Sequence, residues 1–281
     1  MSRKLVFILI ILAFQLCWYF NTLESAEVKA SIGYRVHNSS TGLSYAAIQE
    51  AIDAGETLDG HTIVVDAGLY YEHVNITKSI SLVGANRSTT IIDGSENGSV
   101  ITVSADVVLI QGFTIQKSGS ASGLPSGIDI PTGRSNCTII DNIVANNKGG
   151  ISLGFGGNHT ITNNTIMSNY IGITVIYSLN VRIFHNWFQN NTIQVSTTGA
   201  SNAWDNGYPS GGNYWSDYRE RYPNATEIDA SGIWNTPYQI DVNNKDNYPT
   251  IPEFQAFPIL LLLMITALLA ITVNRPRSSG S

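Results

Sequence analysis

Of 281 residues, only 13% are Asp, Glu, Lys or Arg, while 43% are apolar. Charge is low against the ~25% usual for globular domains, yet the apolar content is too high for a disordered polymer. The formal net charge is −6 with no basic run between the two ends, which excludes nucleic-acid binding, because phosphate neutralisation needs clustered Lys and Arg. Two cysteines, Cys17 and Cys137, exclude a disulfide-stapled scaffold.

Arg3 and Lys4 precede a 16-residue apolar run, Leu5 to Phe20, and a polar exit follows. Those are the parts of a secretory signal, so residues 1–26 are expected to be a signal peptide or an N-terminal membrane segment. Residues 27–43 then form a linker and first strand. Ser44 can cap a short helix from Tyr45 to Ala54, with Ile48, Ala51 and Ile52 on one face.

Short apolar runs follow: Ile63 to Val65, Ile80 to Val83, Ile91-Ile92, Val100 to Val103 and Val107 to Ile115. Each reads as a strand. The Gly-, Ser- and Pro-rich stretch from Ser118 to Gly127 reads as a longer loop. Beyond it the chain repeats every 22 residues in four columns. They are Ile139, Ile161, Ile183; Asn142, Asn164, Asn186; Val144, Ile166, Phe188; and Ile151, Ile173, Val195. Four columns keeping one spacing over three copies is a strong repeat signal.

At ~3.3 Å per residue such a repeat is about 70 Å of contour, enough for three short strands and their turns around a dry interior. The expected fold is all-β: a right-handed parallel β-helix over residues 44–203, with the short helix covering its first coil and hydrophobic helices at the chain termini. Coils stack ~4.8 Å apart, so the Ile and Val columns fill the core and the Asn column forms an amide ladder. Open solenoid ends aggregate, and the aromatic segment 204–250 is the expected C-terminal cap. A 17-residue uncharged run from Phe257 to Val273, ended by Arg275 and Arg277, makes residues 251–281 a transmembrane anchor or a sorting tail.

Ala47-Ile-Gln-Glu-Ala-Ile-Asp53, Gly68-Leu-Tyr-Tyr-Glu72, Lys78-Ser-Ile-Ser-Leu-Val-Gly84 and Thr90-Ile-Ile-Asp-Gly94 resemble the opening coils of NosD-like β-helix proteins. Pectinesterase-type β-helices open similarly. Gly212-Asn-Tyr-Trp-Ser-Asp-Tyr218, Asn235-Thr-Pro-Tyr238 and Asp246-Asn-Tyr-Pro249 resemble the C-terminal block of archaeal NosD-like surface proteins. Pro252-Glu-Phe254 looks like the tail signal read by archaeal sorting enzymes. The resemblance implies a right-handed parallel β-helix at the cell surface, often with a carbohydrate-related role, a sorting enzyme as a partner, and anchorage in the membrane.

Founding members of that family are called copper-binding. Copper favours imidazole and soft sulfur, and His37, His61, His73, His159 and His185 form no close cluster with Cys or Met in this sequence, so copper is not expected. Oxygen-rich Asp217, Asp229, Asp241 and Asp246 are candidate calcium ligands, with Asx-turns as the competing reading. Catalysis of the glycosidase kind needs two flanking carboxylates. Asp93, Asp106, Asp129, Asp141 and Asp205 are available, but Asp141 aligns with Asn163 and His185, so its column does not repeat the carboxylate. Rings at Trp204, Tyr208, Tyr214, Trp215 and Tyr218 can stack on sugars or close the core. Asn-X-Ser/Thr occurs nine times, at Asn38, Asn75, Asn86, Asn97, Asn136, Asn158, Asn163, Asn190 and Asn224. Export makes these N-glycosylation candidates. The expected function is non-catalytic binding of polysaccharide at an extracytoplasmic, membrane-anchored surface. A polysaccharide hydrolase or lyase and a purely structural envelope component are the alternatives.

Overall fold

A computed structural model describes residues 35–119 and 123–251. Both apolar terminal runs, Cys17 and the Pro252-Glu-Phe254 motif lie outside the described residues.

The body is an all-β parallel solenoid in which one coil supplies one strand to each of three sheets. Sheet A has eight strands and sheet B seven. Sheet C has six parallel strands, one per coil, from Val74–Ile76 to Ile193–Thr198. A small three-stranded sheet, Arg134–Ser135, Gly156–Gly157 and Ser178–Leu179, lines one corner.

The repeat columns are the strand register. Ile139 pairs with Ile161 and Ile161 with Ile183 in sheet A. Val144, Ile166 and Phe188 align in sheet B, and Ile151, Ile173 and Val195 in sheet C. Period-two alternation turns these residues inward, and all but Val195 are buried. Outward residues alternate with them, so one 22-residue spacing sets both the core and the surface.

Asparagine holds the corners in two ways. Asn136, Asn158, Asn163 and Asn190 sit at left-handed φ of 54–60°, a conformation Asn tolerates better than most residues. Asn142, Asn164 and Asn186 form the expected ladder: Asn142 Nδ2 donates to Asn164 Oδ1 at 3.1 Å, and Asn164 Nδ2 to Asn186 Oδ1 at 3.0 Å. Each rung also accepts the backbone amide of the residue one coil earlier, so buried donors and acceptors are matched. Asn147, Asn169 and Asn191 form a second ladder along another corner. Gly150 and Gly172 lie against it, and a Cβ there would meet Asn169 Nδ2 at 3.1 Å and Asn191 Nδ2 at 3.2 Å.

The N-terminal helix is shorter than expected. Helix α1 spans Ile48–Asp53, and Tyr45 belongs to the strand Leu43–Tyr45. Ile48, Ala51 and Ile52 are buried on one face as the spacing predicts. Ser44 does not cap the helix, because its Oγ bonds His37 Nδ1. The cap is Glu72, from the next coil, whose carboxylate oxygens accept the Ile48 and Gln49 amides at 3.0 Å each.

The Gly- and Pro-rich stretch is not all loop. Ser126–Ile130 is a strand of sheet C, in register with Gly149–Leu153. At the far end, sheet B continues through Tyr214–Trp215 into the aromatic segment. Phe188 stacks on Trp215 with centroids 4.3 Å apart, and Trp215 on Tyr238 at 4.1 Å. The apolar column of Val144, Ile166 and Phe188 therefore ends in rings that cover the core. Helix α2, Tyr218–Arg221, lies beside this stack.

Candidate functional site

Two cavities open at the C-terminal end of the solenoid. The first, about 460 Å³, is lined by Trp187, Tyr214, Asn163, His185, Ser210 and Ile233 among others. Trp187 and Tyr214 are register partners in sheet B, and their rings stack with centroids 3.9 Å apart at 29°. Both rings are outward-facing and partly exposed. Their neighbours Phe188 and Trp215 point inward, so alternation along one pair of strands builds the core cap on one side and a ring-walled groove on the other. His185 Nε2 bonds the Ser210 carbonyl at 2.8 Å, which ties the groove wall to the cap. The surface combines π-faces with hydroxyl, amide and imidazole groups.

The second cavity, about 420 Å³, lies along the last strand of sheet C and is lined by Gln194, Asp217, Glu220, Arg221 and Tyr238 among others. Tyr238 donates its hydroxyl to Asp217 Oδ2 at 2.9 Å, and Gln194 Nε2 donates to Asp217 Oδ1 at 3.3 Å. The Arg221 guanidinium lies 3.8 Å from Asp217 and over the Tyr238 ring at 4.3 Å. Burial, with the Asp217 charge adding to it, pushes the Tyr238 hydroxyl well above its usual range. Asp217 is thus committed to holding the cap against the last coil.

The five rings predicted to stack on sugar separate into two sets. Trp204, Trp215 and Tyr218 are 0%, 1% and 2% exposed, so they present no face to a ligand in this structure. Trp204 Nε1 donates to Asn244 Oδ1 at 3.0 Å and Trp215 Nε1 to Asp246 Oδ2 at 2.9 Å. Burial pushes the Tyr218 hydroxyl up to about 12. Tyr214 lines the first cavity, and Tyr208 is exposed with its hydroxyl on Asp229. Trp187 escaped the sequence reading, although its position one residue before inward-facing Phe188 marks it as outward.

The four candidate calcium ligands go to four places. Asp217 holds Tyr238, and Asp229 accepts from Tyr208 at 2.8 Å. Asp241 is buried enough to raise its pKa, but hydrogen bonds from Thr197, Asn243 and Asn244 outweigh this and hold it below the usual carboxylate range. Asp246 is fully buried and accepts from Asn213, Trp215 and Tyr248. Among the described residues no group of three or more His, Cys, Asp or Glu is placed to hold a metal ion.

The coil aspartates do not pair with one another either. Asp93 is held by Lys117 at 2.9 Å, Asp141 by Arg87 at 3.2 Å, and Asp106 accepts the Ser135 amide. Asp205 accepts from Asn247. Asp129 has Thr102 and Ser152 as its register neighbours, and burial raises its pKa. Of the nine glycosylation candidates, Asn38 is buried and donates to Thr57 at 2.9 Å, while the other eight are exposed.

Stacked parallel coils, a helix over one end and a ring stack over the other define a capped parallel β-solenoid. The chain belongs to the NosD family: residues 21–220 match that family, described as periplasmic copper-binding protein (NosD). A protein named cell surface glycoprotein from Methanothermus fervidus is 38% identical over 111 residues, which are 40% of this chain and 17% of that protein. The chain thus matches less than a fifth of that relative's length. Among solved structures, a pectin methylesterase from carrot is 16% identical with a TM-score of 0.40, covering 68% of this chain and 67% of its own. Pectin methylesterase PemA from Erwinia chrysanthemi is 15% identical with a TM-score of 0.37, covering 54% and 68%. Likeness this low carries no argument about activity.

Among the described residues, the donor set does not fit the copper that the family description implies. Cys137 and His159 are buried neighbours on adjacent coils, and His159 Nδ1 accepts the Cys137 amide at 3.2 Å. A neutral imidazole that accepts at Nδ1 carries its proton at Nε2, so Nε2 has no lone pair for a metal. Burial lowers the His159 pKa and raises that of the Cys137 thiol, which keeps the ring neutral and the sulfur protonated. His37 bonds Ser44 and Asp66, His61 bonds Asn38, and His73 bonds the Ser99 carbonyl, each at a separate place.

Proposed function

We propose that this chain is exported and acts at the cell surface as a non-catalytic β-solenoid that binds polysaccharide in the Trp187–Tyr214 groove. The observation that carries the reading is the ring pair itself: two outward aromatic side chains, one coil apart, walling a cavity whose other groups include hydroxyls, amides and an imidazole beside Ile233 and Ile251. Sugar rings have apolar C–H faces and polar rims, and that lining offers partners for both. Family membership and the surface-glycoprotein relative support the extracytoplasmic setting. Anchorage through the C-terminal apolar run, with or without cutting by a sorting enzyme, belongs to the same proposal.

A second reading is a polysaccharide hydrolase or lyase. It is favoured by one observation, the meeting of Asp217, Glu220 and Arg221 in the second cavity. It ranks second because both Asp217 oxygens already accept from Tyr238 and Gln194. A glycan array on the purified protein, followed by a reducing-sugar assay on every ligand retained, separates the readings. Retention without product supports the binding protein, product formation replaces it with the enzyme, and no retained glycan overturns both.

A further inference from the structure

The side of the solenoid carries an apolar patch that neither cavity includes. Phe155 and Tyr177 are 49% and 47% exposed, and their rings stack with centroids 4.8 Å apart at 17°. Ile176 and Leu179 are exposed beside them. Tyr177 packs over Gly199 on one side and Phe155 on the other. On the coil preceding Phe155 the chain presents Gly133, whose amide bonds the Phe155 carbonyl, and nothing lies within 4 Å of where a Cβ would stand. An exposed cluster of this kind on a soluble body marks an interaction site.

The sequence at the patch is Phe155-Gly-Gly-Asn158-His-Thr160, a complete Asn-X-Thr acceptor three residues after the ring. Asn158 is exposed at the corner, at φ 54°. Its Oδ1 accepts from Asn180 at 3.4 Å, and among the described residues no hydrogen bond engages its Nδ2. Gly156 and Gly157 put no side chain between ring and acceptor. Of the eight exposed acceptors, Asn158 is the one that follows an exposed ring with only glycine between.

We infer that Asn158 is N-glycosylated and that the first sugar of its glycan packs on the Phe155–Tyr177 rings. The inference rests on the export part of the proposed function. In the transfer, Asn158 Nδ2 bonds the anomeric carbon of a diphosphate-activated glycan. The bond from that carbon to the diphosphate breaks, the diphosphate leaves with the electron pair, and the amide proton passes to a base of the transferring enzyme. The sugar's C–H face then covers aromatic area that the folded chain leaves in water.

The test uses protein purified from the cells that make it. Glycopeptide mass spectrometry should find Asn158 occupied and Asn38 unmodified. Thermal melting of the parent, Asn158→Gln, Phe155→Ala and the double variant, all made in those cells, then reads the contact. Asn158→Gln should lower the melting temperature by about 2 to 4 °C with Phe155 present, the size expected for losing one ring contact in a domain of this length, and should change nothing with Ala at 155. Phe155→Leu replaces Phe155→Ala if the latter does not fold. Sugar on other acceptors but not on Asn158 overturns the inference, as does an equal loss in both backgrounds. No sugar on any acceptor also overturns it, and recovery of the protein in the cytoplasmic fraction overturns the export reading separately.

Discussion

Asn213 donates its backbone amide to the Asp246 carboxylate at 2.7 Å, and this bond ends the first asparagine ladder. Asn186 Nδ2 reaches Asn213 Oδ1 at 3.1 Å, so the column that starts in the 22-residue repeat runs on into the aromatic segment. Asp246 then accepts the Trp215 indole and the Tyr248 amide as well. One carboxylate therefore joins the ladder, the ring stack and the last loop.

That position makes Asp246 pH-sensitive. Burial pushes its carboxyl up from the usual 3.8 to about 7. The folded state then holds the proton more tightly than the unfolded chain, so the contribution is complete below pH ~4 and is lost as pH rises through ~7. Unfolding free energy should fall over that window, by at most about 4 kcal/mol. Urea midpoints at pH 4, 5.5 and 7 read the slope. Asp246→Asn, which removes the titrating group, should flatten the slope. If that variant keeps the parental slope, another group is responsible.

The ladders predict where small polar changes cost most. Asn164 accepts the Asn142 amide and side chain, and its Nδ2 donates to the Ile139 and Thr162 carbonyls at 2.9 Å each. Asn164→Ala leaves those buried groups without partners and should cost about 2 to 4 kcal/mol in urea unfolding. Asn164→Asp should cost more, because it puts a charge inside a buried ladder of amides. Exposed Asn180→Gly, which loses one 3.4 Å contact and keeps the left-handed φ of 54° without strain, should cost under about 0.5 kcal/mol. Equal effects at 164 and 180 would show that the ladder carries no special share of stability.

Core and corner were legible because a solenoid converts spacing into contact. Residues 22 apart in sequence are neighbours in space, so Ile139, Ile161 and Ile183 could be stacked from the sequence alone. The second ladder keeps the same spacing at Asn147, Asn169 and Asn191 and was available to the same reading. The strand Ser126–Ile130 was hidden because its coil is longer, with contacts 29 apart rather than 22, and because Gly and Pro precede it. Glu72 was hidden for a different reason. It caps helix α1 from 24 residues away, and no local pattern announces a cap supplied by another coil. In the tail, ring-rich composition could not say which rings face in, since the column continues through Trp215 only after a loop of changed length.

Glu72 gives a local test of that cap. Its two charge-assisted bonds to the Ile48 and Gln49 amides satisfy donors that a helix end otherwise leaves free. Glu72→Ala should destabilise the protein by about 1 to 2 kcal/mol. Hydrogen exchange should quicken at the Ile48 to Ile52 amides and stay unchanged along the Asn164 ladder. Uniform quickening would mean that the helix and the coils open as one unit.

Tyr214 and Trp204 should part company when truncated, and the contrast tests the groove. Tyr214 lines the first cavity, whereas Trp204 is fully buried and bonded to Asn244. Trp187→Ala and Tyr214→Ala should weaken glycan retention about tenfold, the loss of roughly 1.4 kcal/mol of stacking, with small shifts in melting temperature. Trp204→Ala opens a large cavity and should cost about 3 to 5 kcal/mol of stability. Whatever part of that variant stays folded should retain glycan at the parental affinity. Affinity electrophoresis in a gel containing the retained polysaccharide, run beside thermal melts, separates these effects. Parental retention by both groove variants would move the binding site away from Trp187 and Tyr214 altogether.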